Sequence, residues 1–360
     1  MNYKSRIIKY GELRKGFAIG NDKYGIATYE QKERRKAFLS NPSGADDDDL
    51  YMYIAFDEDV PVGRSFYFRT RLKIDDKIIY AYSGSGFEVE DSYRKEGVGG
   101  YLMGDVLQMK GRNPGIAAGI SDDAIPLFRR LKNTIFEFPR MMILYDTKPV
   151  LEKNGVKGMP LFLFSMCCNN LLRCYYSFTR LFQRSLRKYS IQKMAVVPSW
   201  IDDIVMNDGH KYAEVHDQKW MQWCLNNKFT TNPRDSQNFY AVYQGDIPVA
   251  FFFTKERFRE EVKGMRNILV GSIVEWGVAK GCSLREIDLY RMALHQFSKG
   301  LTIVQTASNN RETIKKLKRM GFIHHGDHRI TFKERKNAYS DASNEALWRL
   351  RFGYADLILF

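Results

Sequence analysis

The stretch EVEDSYRKEGVGGYLM, residues 88–103, places Gly97, Gly99 and Gly100 within four positions, behind Arg94 and ahead of a run with helical spacing. Glycine weakens a helix interior by about 1 kcal/mol relative to alanine, so three at a helix entrance mark a backbone that something approaches closely. A helix begins with unpaired N–H groups and a partial positive charge. With no Cβ in the way, its first turn accepts an anion such as a pyrophosphate. The ordinary alternative is a tight turn into a helix, and the surrounding sequence decides between them.

Upstream, from Tyr51, the chain reads YMYIAFDEDVPVGRSFYF and then RLKIDDKIIYAYSGSGFEV. These apolar, aromatic and β-branched runs, punctuated by acidic turns, predict three antiparallel strands. The signature returns from Phe239 as FYAVYQGDIPVAFFF and NILVGSIVEWGV, with D-V-P-V at 59–62 echoed by D-I-P-V at 246–249. Each copy continues with a helix (99–109 and 283–298), a short strand (115–118 and 301–306) and a second helix. The second helices open at SDDAIPLFRRLKN (121–133) and SNNRETIKKLKRMGF (308–322), where Ser and Asn can cap a first turn. Strands followed by alternating helix and strand predict a mixed α/β fold built twice: an N-terminal lobe over 1–150, a linker over 151–195 and a C-terminal lobe over 196–360.

The chain has 360 residues, and 44% of them are hydrophobic, enough for two ordinary cores. Its 56 Lys+Arg against 42 Asp+Glu give +14, which favours anionic partners without choosing among them. Five cysteines (Cys167, Cys168, Cys174, Cys224 and Cys282) include no C-x-x-C pair or zinc spacing, so reduced thiols and a cytoplasmic setting are expected. The N-terminus lacks the apolar core of a signal peptide, and no segment has the roughly 18 uninterrupted apolar residues of a transmembrane helix. The +14 charge comes with no recognised nucleic-acid motif, so no nucleic-acid partner is expected.

On these residues the chain resembles a tandem member of the GNAT superfamily of N-acetyltransferases. That family's acetyl-CoA signature, R/Q-x-x-G-x-G/A between the fourth strand and the next helix, is matched by Arg94-Lys95-Glu96-Gly97-Val98-Gly99, with Val89 at the apolar position before it. The later signature N-x-x-A…L-Y…G-F is approximated by Asn310 through Gly321-Phe322, and by Ser121, Ala124 and Leu127. The resemblance implies a pyrophosphate on the amides from Lys95 to Gly100, with charge from Arg94 and Lys95. It also implies a pantetheine arm paired with the backbone of Phe87 to Val89. The cofactor-binding set is then Phe87, Val89, Arg94, Lys95, Gly97, Val98, Gly99 and Gly100, with acetyl-CoA as co-substrate and no metal.

At the offset set by Pro61 and Pro248, the second copy replaces Arg94, Gly97 and Gly99 with Gly281, Leu284 and Glu286. A branched side chain and a negative charge stand where phosphate would lie. The C-terminal lobe is therefore expected to supply structure and one wall of an acceptor site. The family's proton-donating tyrosine is absent from both copies: its place holds Phe128 in one and Leu317 in the other. Substitute acid–base candidates are Glu88 and Tyr82, which share a face on a regular strand. Glu275, on the second copy's equivalent strand, is a candidate to bind a cationic amine, with an outward-facing carboxylate as the ordinary reading.

Residues 171–189 place Leu171, Tyr175, Phe178, Phe182, Leu186 and Tyr189 on one helical stripe and Arg173, Arg180, Arg184, Arg187 and Lys188 opposite. This segment reads as a connecting helix packed on a lobe or as a peripheral contact with an anionic membrane. Asp46–Asp49 lacks the glycine and distal glutamate of a calcium loop and reads as a solvated linker. His324, His325, Asp327 and His328 read as a strand end and hairpin turn. The expected activity is an acetyl-CoA-dependent N-acyltransferase acting on a small amine, an amino sugar or its nucleotide- or lipid-linked form. An aminoacyl transferase resembling the Fem family and a non-catalytic CoA-binding module remain open as rivals.

Overall fold

The computed structural model describes residues 3–26, 32–109, 113–181, 184–230, 232–298, 300–334 and 338–354. The first copy comprises β1 (Lys4–Lys9), α1 (Tyr10–Lys15), α2 (Lys32–Leu39), β2 (Leu50–Asp57), β3 (Val60–Ile74), β4 (Lys77–Val89), α3 (Val98–Met109), β5 (Gly115–Ala118), α4 (Ile125–Arg130) and β6 (Thr134–Leu144). Two helices, α5 (Lys148–Lys153) and α6 (Gly158–Leu181), lead to β7 (Tyr189–Met194), α7 (Ile201–Met206), β8 (Tyr212–Glu214) and α8 (Gln218–Asn226). The second copy then runs through β9 (Ser236–Gln244), β10 (Ile247–Val262), β11 (Met265–Val278), α9 (Glu286–Leu294), β12 (Ile303–Ala307), α10 (Arg311–Arg319) and β13 (Ile323–Lys333). The two D-x-P-V signatures lie at the β2–β3 and β9–β10 hairpins, as their acidic turns dictate.

All these strands join one thirteen-stranded sheet in the order β1-β2-β3-β4-β5-β13-β6-β12-β11-β10-β9-β7, with β8 attached to β3. Each copy enters from one edge, and the two exchange their last strands at the centre. There β13 pairs with β5 of the first copy, β6 pairs with β12 of the second, and β13 and β6 run antiparallel to each other. Neither repeat closes a sheet by itself, because each would leave an exposed strand edge that the other covers. The largest core is likewise shared: Phe38, Phe66 and Phe68 from the first copy and Phe239, Phe251 and Phe253 from the second lie in one buried cluster with Trp220 and Trp348. Smaller cores seat α3 on one side and α9 with α10 on the other.

Three expectations change. The linker is not one helix through residue 189: α6 ends at Leu181, a 3-10 turn spans Arg184–Lys188, and Tyr189 opens a strand. An edge strand must be delivered beside β9, and that pairing overrides the helical periodicity. Of the stripe, Leu171 and Tyr175 are exposed, Leu186 and Tyr189 pack on the second-copy core, and Phe182 lies outside the described residues. The second-copy helix begins at Glu286 rather than Ser283, because Leu284 is drawn into the core and Arg285 and Asp288 form a capping box at the next turn. Asp46–Asp49 is a turn held by ion pairs rather than a linker, with Asp46, Asp47 and Asp48 exposed and Asp49 buried. Asp47 pairs with Arg14, Asp48 with Lys9 (2.7 Å), and Asp46 and Asp49 with Arg69 (2.7 and 2.9 Å).

Candidate active site

The site is built at one end of β4. Pairing of β3 with β4 is regular as far as Phe66↔Ser85, then slips, so that Arg64 faces Glu88 and Gly63 faces Val89. Two residues of β4, Gly86 and Phe87, therefore oppose Ser65 alone on β3, which is a β-bulge. Gly86 makes it possible: its φ is +54°, and a Cβ there would meet the Phe66 ring at 2.8 Å. The bulge inverts the alternation of side chains, so Tyr82 and Glu88 lie on opposite faces, contrary to the even spacing that put them together. Tyr82 donates to Asp49 (2.7 Å), and burial together with that carboxylate pushes its pKa up to about 12. Glu88 is exposed and ion-paired with the buried Arg64.

Beyond the bulge the sheet opens. Strand β4 pairs with β5 only over Tyr82–Gly84, and no further pairing between the two occurs among the described residues. The separation leaves a cleft of about 350 Å³, lined by Ser85, Gly86 and Phe87 of β4, by residues 118–121 after β5, and by Phe128 of α4. Thr331 and Lys333 of β13 complete it, so the second copy supplies a wall to the first copy's cleft. Neither Tyr82 nor Glu88 lines the cleft. Phe87 does, with the adjoining β4 edge free of a strand partner on that side.

The entrance of α3 lies beside the cleft through Phe87, whose ring is 3.4 Å from a Cβ built on Gly99, while none of residues 88–102 lines the cleft itself. Val89 and Val98 are buried in the core on either side of the loop and hold its two ends, while a 3-10 turn over Asp91–Tyr93 is tied to Asp57 by the Tyr93 hydroxyl (2.8 Å). Gly97 has φ +87°, a conformation that favours glycine, and a Cβ added at Gly97 or Gly100 would meet nothing within 4 Å. At Gly99 it would only graze the Phe87 ring at 3.4 Å. The first helical bond runs from Tyr101 N to Gly97 O, and no acidic residue of the first turn offsets the partial positive charge of its amides. The amide of Glu96 already donates to Tyr93 O (3.2 Å), which narrows the expected run from Lys95 to Gly100. Lys95 is exposed, and the Arg94 guanidinium, also exposed, is held by Asp91 at 2.7 Å.

The same place in the second copy is filled. Strand β11 pairs with β12 only over Val270–Ser272, and the chain's own C-terminal segment enters the gap beyond. Gly353 N donates to Val274 O (2.9 Å), Arg351 bridges to Ser308, and its guanidinium reaches the Trp276 carbonyl and the Glu275 carboxylate. The wedge fits tightly, since a Cβ at Gly353 would lie 2.7 Å from Val274 O. The α9 entrance carries its own anions. Glu286 accepts from Trp276 Nε1 (2.9 Å), Asn310 Nδ2 (3.1 Å) and Thr313 Oγ1 (2.9 Å), and Asp288 accepts from Arg285 N (3.2 Å).

Glu275 corrects the sequence reading: it is neither outward-facing nor open to an amine. It is fully buried, paired with His216 and Arg351, while the other side of His216 contacts Glu214 (3.0 Å) and its ring stacks on Trp220. Burial alone would raise the Glu275 pKa, but Arg351, Arg349 and His216 outweigh it and hold the carboxyl well below the usual range. Burial likewise opposes charging of His216, yet Glu275 and Glu214 raise its pKa. This is a structural ion cluster in which every charge has a partner.

Sequence reasoning missed the titratable groups that line the cleft, Tyr67 and Lys333. Tyr67 stands on β3 with its ring 3.7 Å from a Cβ built on Gly84; burial, slightly offset by Ser65, pushes its pKa up. Lys333 donates to Lys132 O (2.9 Å), and burial and Lys132 lower its pKa. Phe128, where the family places its tyrosine, lines the cleft without a hydroxyl, and Leu317 is buried in the second-copy core. His324 contacts Asp327 (2.9 Å) and His328 is buried with its pKa pushed down to about 3, first by burial. No group of three or more His, Cys, Asp or Glu side chains arranged to hold a metal occurs among the described residues.

No protein-family model matches the sequence, and no curated protein matches it. Solved structures match its fold. Saccharomyces cerevisiae N-myristoyltransferase with bound myristoyl-CoA aligns at a TM-score of 0.57 with 10% identity, over 92% of this chain and 82% of that one. A GCN5-related N-acetyltransferase from Anabaena variabilis ATCC 29413 aligns at 0.54 with 9% identity, over 92% and 73%. A conserved protein of unknown function from Enterococcus faecalis V583, described as a probable N-acyltransferase, aligns at 0.53 with 11% identity, over 93% and 73%. The chain has the GNAT fold.

Proposed function

We propose that the chain is an acyl-CoA-dependent N-acyltransferase with one donor site, in the N-terminal lobe. The observation that carries this reading is the open α3 entrance beside Phe87 of the β4–β5 cleft: glycines with free space, no acidic side chain in the first turn, and an unpaired strand edge alongside. The amides of Gly97, Val98, Gly99 and Gly100 hold the pyrophosphate, with Lys95 and, once released from Asp91, Arg94 adding charge. The backbone of Phe87 to Val89 faces the pantetheine arm. The fold shared with a myristoyl-CoA-bound structure supports a CoA thioester as donor. Acetyl is the proposed acyl group and a small amine, such as an amino sugar, the proposed acceptor.

Transfer requires the amine nitrogen to attack the thioester carbonyl, the C–S bond to break, and one proton each to leave the amine and reach the thiolate. Tyr67, whose raised pKa keeps it protonated, is the proposed donor to the thiolate. Lys333, whose pKa burial and Lys132 lower, is the proposed acceptor of the amine's proton in its neutral form. The rival non-catalytic reading draws on one observation: no carboxylate or histidine lines the cleft among the described residues. Thiol release from acetyl-CoA and longer acyl-CoA thioesters against a panel of amines separates the two. Turnover lowered at least about tenfold in Tyr67→Phe, with donor affinity kept, supports the enzyme. Absence of thiol release with every amine, alongside tight CoA binding, supports the module.

A further inference from the structure

Helix α6 is attached to the body along a narrow strip. Over residues 158–177, Leu161, Ser165, Cys168, Asn169, Leu172 and Tyr176 are its buried or half-buried positions. Polar contacts fix it: Asn169 Oδ1 accepts from Thr147 N and Oγ1 (both 2.8 Å), Asn169 Nδ2 donates to Asp146 (2.8 Å), and the Tyr176 hydroxyl donates to Leu144 O (2.8 Å). Over residues 159–168 the remaining arc is apolar and exposed, and the exposed Asn170 and Arg173 follow it. Met159 is 69% exposed, Phe162 61%, Phe164 57% and Leu171 70%, with Leu163 and Met166 between them. From residue 159 to 168 this outward arc has no polar side chain other than cysteine. A helix that is apolar all round belongs inside a core or against lipid, and no core covers this one.

The charges around it select the partner. No Asp or Glu occurs between Glu152 and Asp202, whereas eight Lys and Arg do. Lys153 and Lys157, both exposed, precede the apolar turns and Arg173 follows them. The stem of Lys153 lies over Gly264 in the β10–β11 turn, beside Lys263, and both lysines together with Arg140 bear on His325. Of the acidic groups on these elements near the turn, Glu152 is paired with Lys148 and Glu261 with Arg266, and Glu260 is exposed on β10. The helix thus presents an apolar tip within a basic collar. A second copy of the chain would bring two such collars together and repel. The apolar turns from 159 to 168 rise about 15 Å, half of a hydrocarbon core about 30 Å thick, and no helix among the described residues is long and apolar enough to cross a membrane.

We propose that residues 159–171 of α6 seat in one leaflet of an anionic phospholipid bilayer, with Lys153, Lys157, Lys263 and Arg173 against its headgroups. The contact lies upstream of the stripe at 171–189 to which the periodicity pointed, and it does not depend on the acyltransferase reading. Flotation with phosphatidylcholine vesicles, with and without about one third phosphatidylserine, tests it. The protein floats with the anionic vesicles at low salt, at least about tenfold more than with neutral ones. Phe162→Glu with Phe164→Glu lowers that partition at least about tenfold. Lys153→Glu with Lys157→Glu lowers binding to anionic vesicles and not the residual binding to neutral ones. All four positions are exposed, and an unchanged thermal melt shows that the fold persists. The proposal is overturned if the native protein fails to float with anionic vesicles at low salt. It is also overturned if sedimentation shows a dimer that the double glutamate variant converts to a monomer, which would make the face a self-interface.

Discussion

The two places where a strand leaves its parallel neighbour and a helix begins are the most instructive pair in the molecule. Between β4 and β5 the gap is a cleft, and the helix beyond it opens on glycines with no anion of its own. Between β11 and β12 the gap is closed by residues 351–353, and Glu286 and Asp288 occupy the neighbourhood of the helix entrance. Glu88 and Glu275 stand at equivalent positions at the Pro61–Pro248 offset, yet one is exposed and the other is the anion of a buried cluster. The difference shows what duplication allows. A fold that is built twice can leave one strand gap open and fill the other with its own residues 351–353.

The contrast can be tested by stability measurements, beginning with the largest effect. His216→Ala leaves Glu275 and Glu214 without their shared partner and loses the stack on Trp220, so it should lower unfolding free energy by about 3–5 kcal/mol in denaturant titration. The sign of its pH dependence follows. The folded pKa of His216 is raised, so its contribution is complete below the unfolded value of about 6.5 and fades as the pH rises through the folded value. The folded pKa of Glu275 is depressed, so its contribution is present above about 4.3 and fades as the pH falls through the folded value. The gap between native and variant protein should be widest between those limits and narrow towards alkaline pH. A gap that instead widened as the pH rose towards about 6.5 and stayed wide above it would show that His216 is neutral in the fold.

Glu286→Ala removes the acceptor shared by Trp276, Asn310 and Thr313 and should lower stability by about 1–3 kcal/mol without creating a second CoA site. A gain of CoA stoichiometry in calorimetry would mean that this carboxylate alone kept the second entrance closed. Glu88→Gln should have the smallest effect, about 1 kcal/mol or less, because that ion pair is open to solvent on the glutamate side. A loss matching that of His216→Ala would erase the distinction between the two strand ends.

Much of this contrast was legible in the sequence. The repeated D-x-P-V turns fix the two meanders, and Gly97, Gly99 and Gly100 against Leu284 and Glu286 foretell which helix entrance is open. Three features were not legible, each because the deciding contact is remote in sequence. The bulge at Gly86 separates Tyr82 from Glu88, since alternation along a strand holds only while the register does. Glu275 reads as a surface carboxylate because His216 and Arg351, which bury it, arrive from other elements. The cleft's lysine, Lys333, comes from a strand that the second copy lends to the first.

Calorimetric titration of Gly100→Glu with acetyl-CoA tests the central claim most directly. Gly100 is helical, exposed and faces open space, so glutamate fits there without strain. Leaving glycine and placing an acid in the first turn should raise the melting temperature through a gain of up to about 1 kcal/mol. The same carboxylate stands where the pyrophosphate is proposed to lie. The account predicts a more stable protein that binds acetyl-CoA at least about tenfold more weakly, a loss above about 1.4 kcal/mol. Unchanged affinity in a stabilised Gly100→Glu protein would contradict it and move the donor site away from the α3 entrance.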